Sequence, residues 1–106
     1  MKTSELTGAA LDWAVAKCEG INYVKDDVRF RGAYARKYST DWAQGGPIIE
    51  REAISVWARG DEWAAESFVP NKQGREEIGA TPLIAAMRCY VTSKLGDEVE
   101  LPEELK

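Results

Sequence analysis

Residues 81–96 carry a complete set of helix signals, and they constrain the fold more than any other part of the sequence. Thr81 is a favoured N-cap, Pro82 suits the first helical position, and Gly96 suits the position after the last turn. The apolar residues between these ends recur at helical spacing and form one broad face, comprising Leu83, Ile84, Met87, Tyr90, Val91 and Leu95. We expect this face to be buried against the rest of the domain.

The first part of the chain predicts one helix followed by a pair of strands. Helical spacing of apolar residues runs from Thr3 to Gly20, with Thr3 or Ser4 as the cap and Gly20 at the end. Residues 21–38 contain two runs with β-strand character on either side of an Asp26-Asp27 turn.

A second helix is expected over residues 41–53. Ser39, Thr40 or Asp41 can cap it, and Asp41 followed by Gln44 resembles a capping box. Pro47 is unfavourable inside a helix, because it lacks a backbone donor and clashes with the preceding turn. Two interpretations fit. Either a short turn over 41–44 precedes a helix that starts near Pro47, or one kinked helix covers the segment.

Residues 54–68 predict a β-hairpin. The run 54–59 alternates apolar and polar residues, Gly60-Asp61 suits a two-residue turn with Gly first, and 62–68 forms the return strand. The polar, Gly-containing residues 70–79 are expected to form a loop.

Together these elements predict a single α+β domain over residues 1–96. An antiparallel sheet of about four strands packs with three helices in an α-β-α sandwich-like arrangement, in the order α-ββ-α-ββ-α. The remaining residues, 97–106, carry five acidic side chains, and we expect an extended, solvated C-terminal tail.

Net charge and hydropathy limit the classes of binding partner and the cellular compartment that we expect for this protein. The net charge is −4 and the pI about 4.9, which argues against nucleic acid and against an anionic membrane as partners. No apolar run approaches the roughly 20 residues that cross a bilayer, and the N-terminus lacks the apolar stretch of a signal peptide. We therefore expect a cytoplasmic protein.

Histidine is absent, and this excludes the usual Ser-His and Cys-His nucleophile pairs. The two cysteines, Cys18 and Cys89, lie in helix-like apolar patterns and predict small buried side chains. No phosphate-binding glycine motif is present. The sequence thus favours a protein without catalytic residues, metal or cofactor. A small carboxylate enzyme using Asp41, Glu50 and Glu52 is the least favoured alternative.

The best candidate for a binding segment is Tyr38-Ser39-Thr40-Asp41-Trp42. It brings two hydroxyls, a carboxylate and two aromatic rings to a predicted helix N-terminus, where anions are favoured. These five residues support an alternative function, the binding of a small molecule or nucleotide. The competing interpretation is a capping motif whose Trp packs in the core.

Three long runs resemble NinX-like proteins of tailed bacteriophages and prophages. They are residues 1–8 with 10–16, residues 38–50 and residues 81–91, so the resemblance spans nearly the whole chain and is weakest over 25–37 and 69–79. The starts Tyr38-Ser39-Thr40-Asp41 and Thr81-Pro82 are also similar to those of phage α-β-α sandwich domains.

The resemblance implies a phage or prophage accessory protein. The family has no assigned activity, so no catalytic residues transfer to this chain. We expect the partner to be a host or phage protein in the cytoplasm of the host bacterium, and we keep a homodimer as an alternative.

Overall fold

Three helices and a three-stranded antiparallel sheet make up the α+β fold seen in the computed structural model, which describes residues 1–20, 36–67 and 76–105. The helices are α1 (Gly8–Cys18), α2 (Trp42–Arg51) and α3 (Pro82–Leu95). The strands are β1 (Ile54–Arg59), β2 (Glu62–Ser67) and β3 (Glu77–Gly79). Two short 3₁₀ turns, Thr3–Glu5 and Glu103–Leu105, lie near the chain ends.

Helix α3 confirms the expectation from its sequence signals. Thr81 Oγ1 accepts a hydrogen bond from Ile84 N at 3.1 Å, Pro82 is the first helical residue, and Gly96 ends the helix with φ 85°. The helix contacts all three strands on one side, and it also contacts α1 and α2. It is therefore the centre of the core. None of the helices in the described ranges is both long enough and apolar enough to cross a membrane.

The predicted hairpin is confirmed, with β1 and β2 in antiparallel register and Gly60 at φ 63° in the first turn position. Val56 pairs with Ala65, and this face of the sheet packs on the core. Trp57 pairs with Ala64, so it lies on the opposite face.

The expected loop over 70–79 is wrong at Glu77–Gly79, which form β3 and pair with β2. A strand of three residues is too short to show an alternating pattern, and its formation depends on the open edge of β2. The predicted strands before residue 36 and residues 70–75 lie outside the described residues. The four-stranded sheet, the element order and helices on both sheet faces are therefore not confirmed.

The first helix begins later than its sequence predicts. Residues 3–5 form a 3₁₀ turn, and α1 starts at Gly8. Thr3 is buried, its hydroxyl donates to Gly96 O at 2.7 Å, and its backbone N donates to Asp97 O at 2.8 Å. The local sequence pattern predicts Thr3 as a helix N-cap, but hydrogen bonds to residues near the other end of the chain hold it in a different role.

Helix α2 is continuous from Trp42 to Arg51 with Pro47 inside it, so a separate helix starting near Pro47 is wrong. Asp41 is the cap. Proline removes only one intrahelical bond, and burial of Ile48, 2% exposed, helps to offset that loss.

The C-terminal segment is neither extended throughout nor wholly solvated, since Glu103–Leu105 form a 3₁₀ turn. Val99 N donates to Met1 O at 2.9 Å, and Lys2 and Glu98 form an antiparallel bridge. Val99 and Leu101 are only 4% and 5% exposed and belong to the hydrophobic core. The expectation of a solvated tail is therefore wrong at these two residues, whereas Glu98 and Glu100 are exposed.

Candidate functional site

The segment 38–42 leads directly into α2, and its two aromatic rings, those of Tyr38 and Trp42, lie in different environments. Tyr38 is buried at 4% exposure, whereas Trp42 is 55% exposed. The interpretation that Trp42 packs in the core is therefore wrong. Ser39 is 2% exposed, and its backbone N donates to Asp12 Oδ1 at 2.8 Å.

Asp41 is committed to capping the helix. Its Oδ1 accepts from Ala43 N and its Oδ2 from Gln44 Nε2, both at 2.9 Å. The hydrogen bond from Gln44, with that from Ala43 N, lowers the pKa of Asp41. In a capping box, the Gln44 side chain would accept a hydrogen bond from the backbone N of the N-cap residue, Asp41. In the structure, Gln44 Oε1 instead accepts from the backbone N of Lys37 at 3.0 Å. The carboxylate thus fixes the start of α2 rather than facing a ligand.

A pocket of about 210 Å³ lies between this segment and the first turn of α3. Its walls are formed by Ser39, Thr40, Trp42, Thr81, Pro82, Leu83 and Ile84. Within the described ranges, the walls contain three hydroxyls, one indole and three apolar side chains, and no side chain that ionises. We call it the α2–α3 pocket.

One wall residue of the α2–α3 pocket has an unmet polar atom. Ser39 Oγ is buried and has no hydrogen-bond partner in the part of the chain that the structure describes. Buried hydroxyls normally have a partner, and leaving one without costs about 1–3 kcal/mol. The burial of the Ser39 hydroxyl thus costs the fold stability without a compensating hydrogen bond among the described residues, and this suggests a role other than folding.

The pocket also depends on residues that the sequence did not single out as functional. Asp12 orients Ser39 from α1, and residues 81–84 were predicted only as a helix start. The sequence feature that could have identified Asp12 is its position as an acidic residue within an apolar helical run. In the structure Asp12 is only 8% exposed. Nothing in the sequence indicates that 38–42 and 81–84 are neighbours, because some forty residues separate them.

The carboxylates proposed for an enzyme do not converge. Asp41 caps the N-terminus of α2, whereas Glu50 and Glu52 lie at its other end, roughly 13–17 Å away at about 1.5 Å per residue. Glu50 is exposed, and Glu52 Oε2 accepts from Arg51 Nε at 2.9 Å. Across the described ranges, no group of three or more acidic or thiol side chains is placed to hold a metal ion.

Two larger pockets, about 460 and 620 Å³, lie on the acidic side of the molecule and share Ser4, Glu76 and Glu77. Arg88 lines the second, and its guanidinium donates to Leu6 O at 2.8 Å and to Ile78 O at 2.7 Å. Arg88 thus ties α3 to the N-terminal segment and to β3. This is a structural role.

The environments of the two cysteines disfavour nucleophilic attack. Cys89 is 2% exposed, and neither Cys18 nor Cys89 forms a disulfide. Burial raises the pKa of Cys18 to about 12 and that of Cys89 to about 11. Nucleophilic attack needs the thiolate, and burial favours the protonated thiol at both positions near pH 7.

A polar cluster of several hydrogen bonds joins the C-terminal ends of α1 and α2 to α3. Arg51 Nη1 and Nη2 donate to the two carboxylate oxygens of Glu19 at 3.0 and 2.6 Å. Tyr90 Oη donates to Glu19 Oε2 at 2.6 Å. The hydrogen bond from Arg51, with that from Tyr90, lowers the pKa of Glu19 from its ordinary 4.5. Three helices are held together by this cluster.

This cluster predicts a loss of stability in acid. A carboxyl group with a lowered folded-state pKa stabilises the fold above its ordinary value of 4.5, and this contribution is lost as pH falls below that value. We expect Glu19→Gln to lower the free energy of unfolding by about 1 kcal/mol at pH 7, because Arg51 is half exposed and solvent screens the pair.

Urea denaturation from pH 7 to pH 3 measures the effect. The difference between wild type and Glu19→Gln should shrink as pH falls, and the exposed-site control Glu100→Gln should match wild type throughout. A difference that stays constant with pH would show that Glu19 contributes only by shape.

Comparison with known proteins places residues 2–94 within one family profile, described as bacteriophage P22, NinX. The match covers most of the chain and includes both walls of the α2–α3 pocket. No curated protein matches the chain.

Proposed function

The chain belongs to the bacteriophage P22 NinX family, and from this premise we propose that it is a non-enzymatic phage accessory protein that binds a protein partner through the surface around Trp42. The observation that carries the proposal is the 55% exposure of the Trp42 indole on the rim of the α2–α3 pocket. Trp is the residue type most enriched among the residues that dominate binding energy.

The position of Trp42 favours recognition over folding. An exposed indole forgoes much of the stabilisation that burial would provide. Trp57, at 36% exposure, is the other exposed tryptophan among the described residues, but it does not line the pocket.

The start of α2 is rigid, and this also supports binding. Asp41 and Gln44 bond to each other and to the backbone on both sides of the segment, at 2.9–3.0 Å. A surface ordered before binding loses less conformational entropy when the partner arrives. The indole is thus presented on a preorganised helix start.

The geometry gives less support to the alternatives. Both thiols stay protonated near pH 7, and the candidate carboxylates lie at opposite ends of α2. A volume of about 210 Å³ is below the roughly 300–1,000 Å³ of typical small-molecule sites. The negative charge of Asp41, between the wall residues Thr40 and Trp42, opposes a phosphate at these helix starts, and none of the described wall residues is a cation that would offset it. A nucleotide is therefore a poor fit.

Affinity capture from phage-infected bacteria tests the proposal. Wild-type protein should retain a reproducible partner, and Trp42→Ala should reduce that retention at least 10-fold. Trp57→Ala is the matched control, because it removes an exposed indole elsewhere and should retain the partner. Circular dichroism should show that both variants are folded.

Two outcomes would contradict the proposal. Equal retention by the Trp42→Ala variant would place the interface elsewhere. Light scattering that shows a wild-type dimer and a Trp42→Ala monomer would make the partner a second copy of this chain.

A further inference from the structure

We infer that the α2–α3 pocket receives a single tyrosine side chain of the protein partner. The inference rests on the proposed function, and it specifies what the partner must present. It combines four observations: the pocket's size, its uncharged lining, the unpartnered Ser39 hydroxyl, and the exposed indole beside it.

The size limits the occupant to about one side chain. The pocket holds about 210 Å³, which is less than most sites that enclose a whole drug-sized ligand. A pocket of this size fits the usual pattern in which one anchor side chain fills a cavity at the centre of an interface.

The lining excludes a charged occupant. None of the seven described wall residues ionises, so an entering ammonium or guanidinium would lose hydration without gaining an ionic partner. A carboxylate would be favoured by the two helix N-termini, but the negative charge of Asp41 at the start of α2 opposes it. Asp12 is bonded to Ser39 N and Asp41 to the start of α2, so both carboxylates are already engaged. Lys, Arg, Asp and Glu are therefore disfavoured.

The polar groups of the pocket exclude a purely hydrocarbon occupant. Ser39 lines the pocket, and its buried Oγ has no hydrogen-bond partner among the described residues. This oxygen meets an entering group only after a change of χ1 between staggered rotamers, which a serine can make. Thr81 Oγ1 accepts from Ile84 N, which leaves its proton free to be donated. Leu83 N is among the first helical N–H groups, which have no partner within the helix. A Phe or Leu side chain would leave these groups unpaired.

The exposed Trp42 indole favours an occupant with a flat aromatic ring that can pack against it. Aromatic pairs in offset or edge-to-face arrangements gain about 0.5–1.5 kcal/mol beyond their buried area. Tyrosine combines a flat ring with an uncharged hydroxyl that can both donate and accept. It is the side chain that meets all four conditions together.

Side-chain analogues test the pocket without the partner. The full chain, labelled with ¹⁵N, is titrated with N-acetyl-tyrosine amide, N-acetyl-phenylalanine amide and N-acetyl-lysine amide, and amide shifts are followed by NMR. We expect the tyrosine amide to shift residues 39–42 and 81–84 and to bind at least 5-fold more tightly than the phenylalanine amide. The lysine amide should cause no shift there.

Two variants check the chemistry. Ser39→Ala should reduce the preference for tyrosine over phenylalanine below about 2-fold, and Trp42→Ala should weaken both. Equal binding of the tyrosine and phenylalanine amides, or shifts confined to other residues, would overturn the inference.

The NMR and capture experiments separate the two proposals. Capture that depends on Trp42 without a tyrosine preference in the pocket overturns only the identity of the side chain. A clear tyrosine preference without any Trp42-dependent capture contradicts partner binding, and would reassign the pocket to a small phenolic molecule. Support for the inference requires both results.

Discussion

Gly45→Ala should lower the free energy of unfolding by about 2–3 kcal/mol, because the backbone of Tyr38 and the Leu83 side chain of α3 leave no room for a side chain at this residue. A Cβ on Gly45 would overlap the Tyr38 carbonyl oxygen and lie 2.7 Å from Leu83 Cδ2. The leucine side chain can move, but the carbonyl belongs to the backbone. The better helix propensity of Ala, about 1 kcal/mol, offsets only part of this cost.

The adjacent glycine supplies the control. A Cβ on Gly46 would lie 3.8 Å from Trp42 Cε3, an ordinary contact, so Gly46→Ala should change stability by less than about 1 kcal/mol. Urea denaturation followed by circular dichroism measures both variants. If Gly45→Ala unfolds at the same urea concentration as Gly46→Ala, the close packing of the Tyr38 carbonyl and Leu83 around Gly45 is wrong.

Removal of residues 97–106 should lower the free energy of unfolding by about 2–4 kcal/mol. The segment buries Val99 and Leu101, and each fully buried aliphatic side chain contributes about 1.5–3 kcal/mol. It also pairs with the N-terminal residues through Val99 N to Met1 O at 2.9 Å. The entropy lost in ordering the segment offsets part of the gain.

Full-length variants distinguish packing from chain length. Leu101→Ala should reproduce about 2 kcal/mol or more of the loss, whereas Glu100→Gln, at an exposed position, should leave stability within about 0.5 kcal/mol. Thermal and urea unfolding measure each variant. A truncated chain as stable as the full chain would show that residues 1–96 hold the core by themselves.

The elements that could be predicted from the sequence are those whose signals are local. Thr81, Pro82 and Gly96 mark the ends of α3, and Gly60 marks the hairpin turn. The elements that could not be predicted depend on distant partners. Strand β3 forms on the edge of β2, and Thr3 is fixed by Gly96 and Asp97 from the other end of the chain.

The candidate site divides in the same way. The residues 38–42 could be selected because two aromatic rings and two hydroxyls precede a helix. Their individual roles could not, because burial decides them: Asp41 serves as a cap, Tyr38 is in the core, and Trp42 is at the surface. The second wall of the pocket, residues 81–84, is brought there by packing alone.

The sequence by itself determined the α+β class, helix α3 and the hairpin, because caps, turns and periodicity act over a few residues, and it also excluded histidine chemistry. It placed a helix near α1 with the wrong start and left two alternatives open for α2. Only the tertiary structure decided that the C-terminal residues enter the core and that two helix starts enclose one uncharged pocket beside Trp42. The physical reason is that burial and hydrogen bonding between residues far apart in the chain are settled by packing, which no local pattern records.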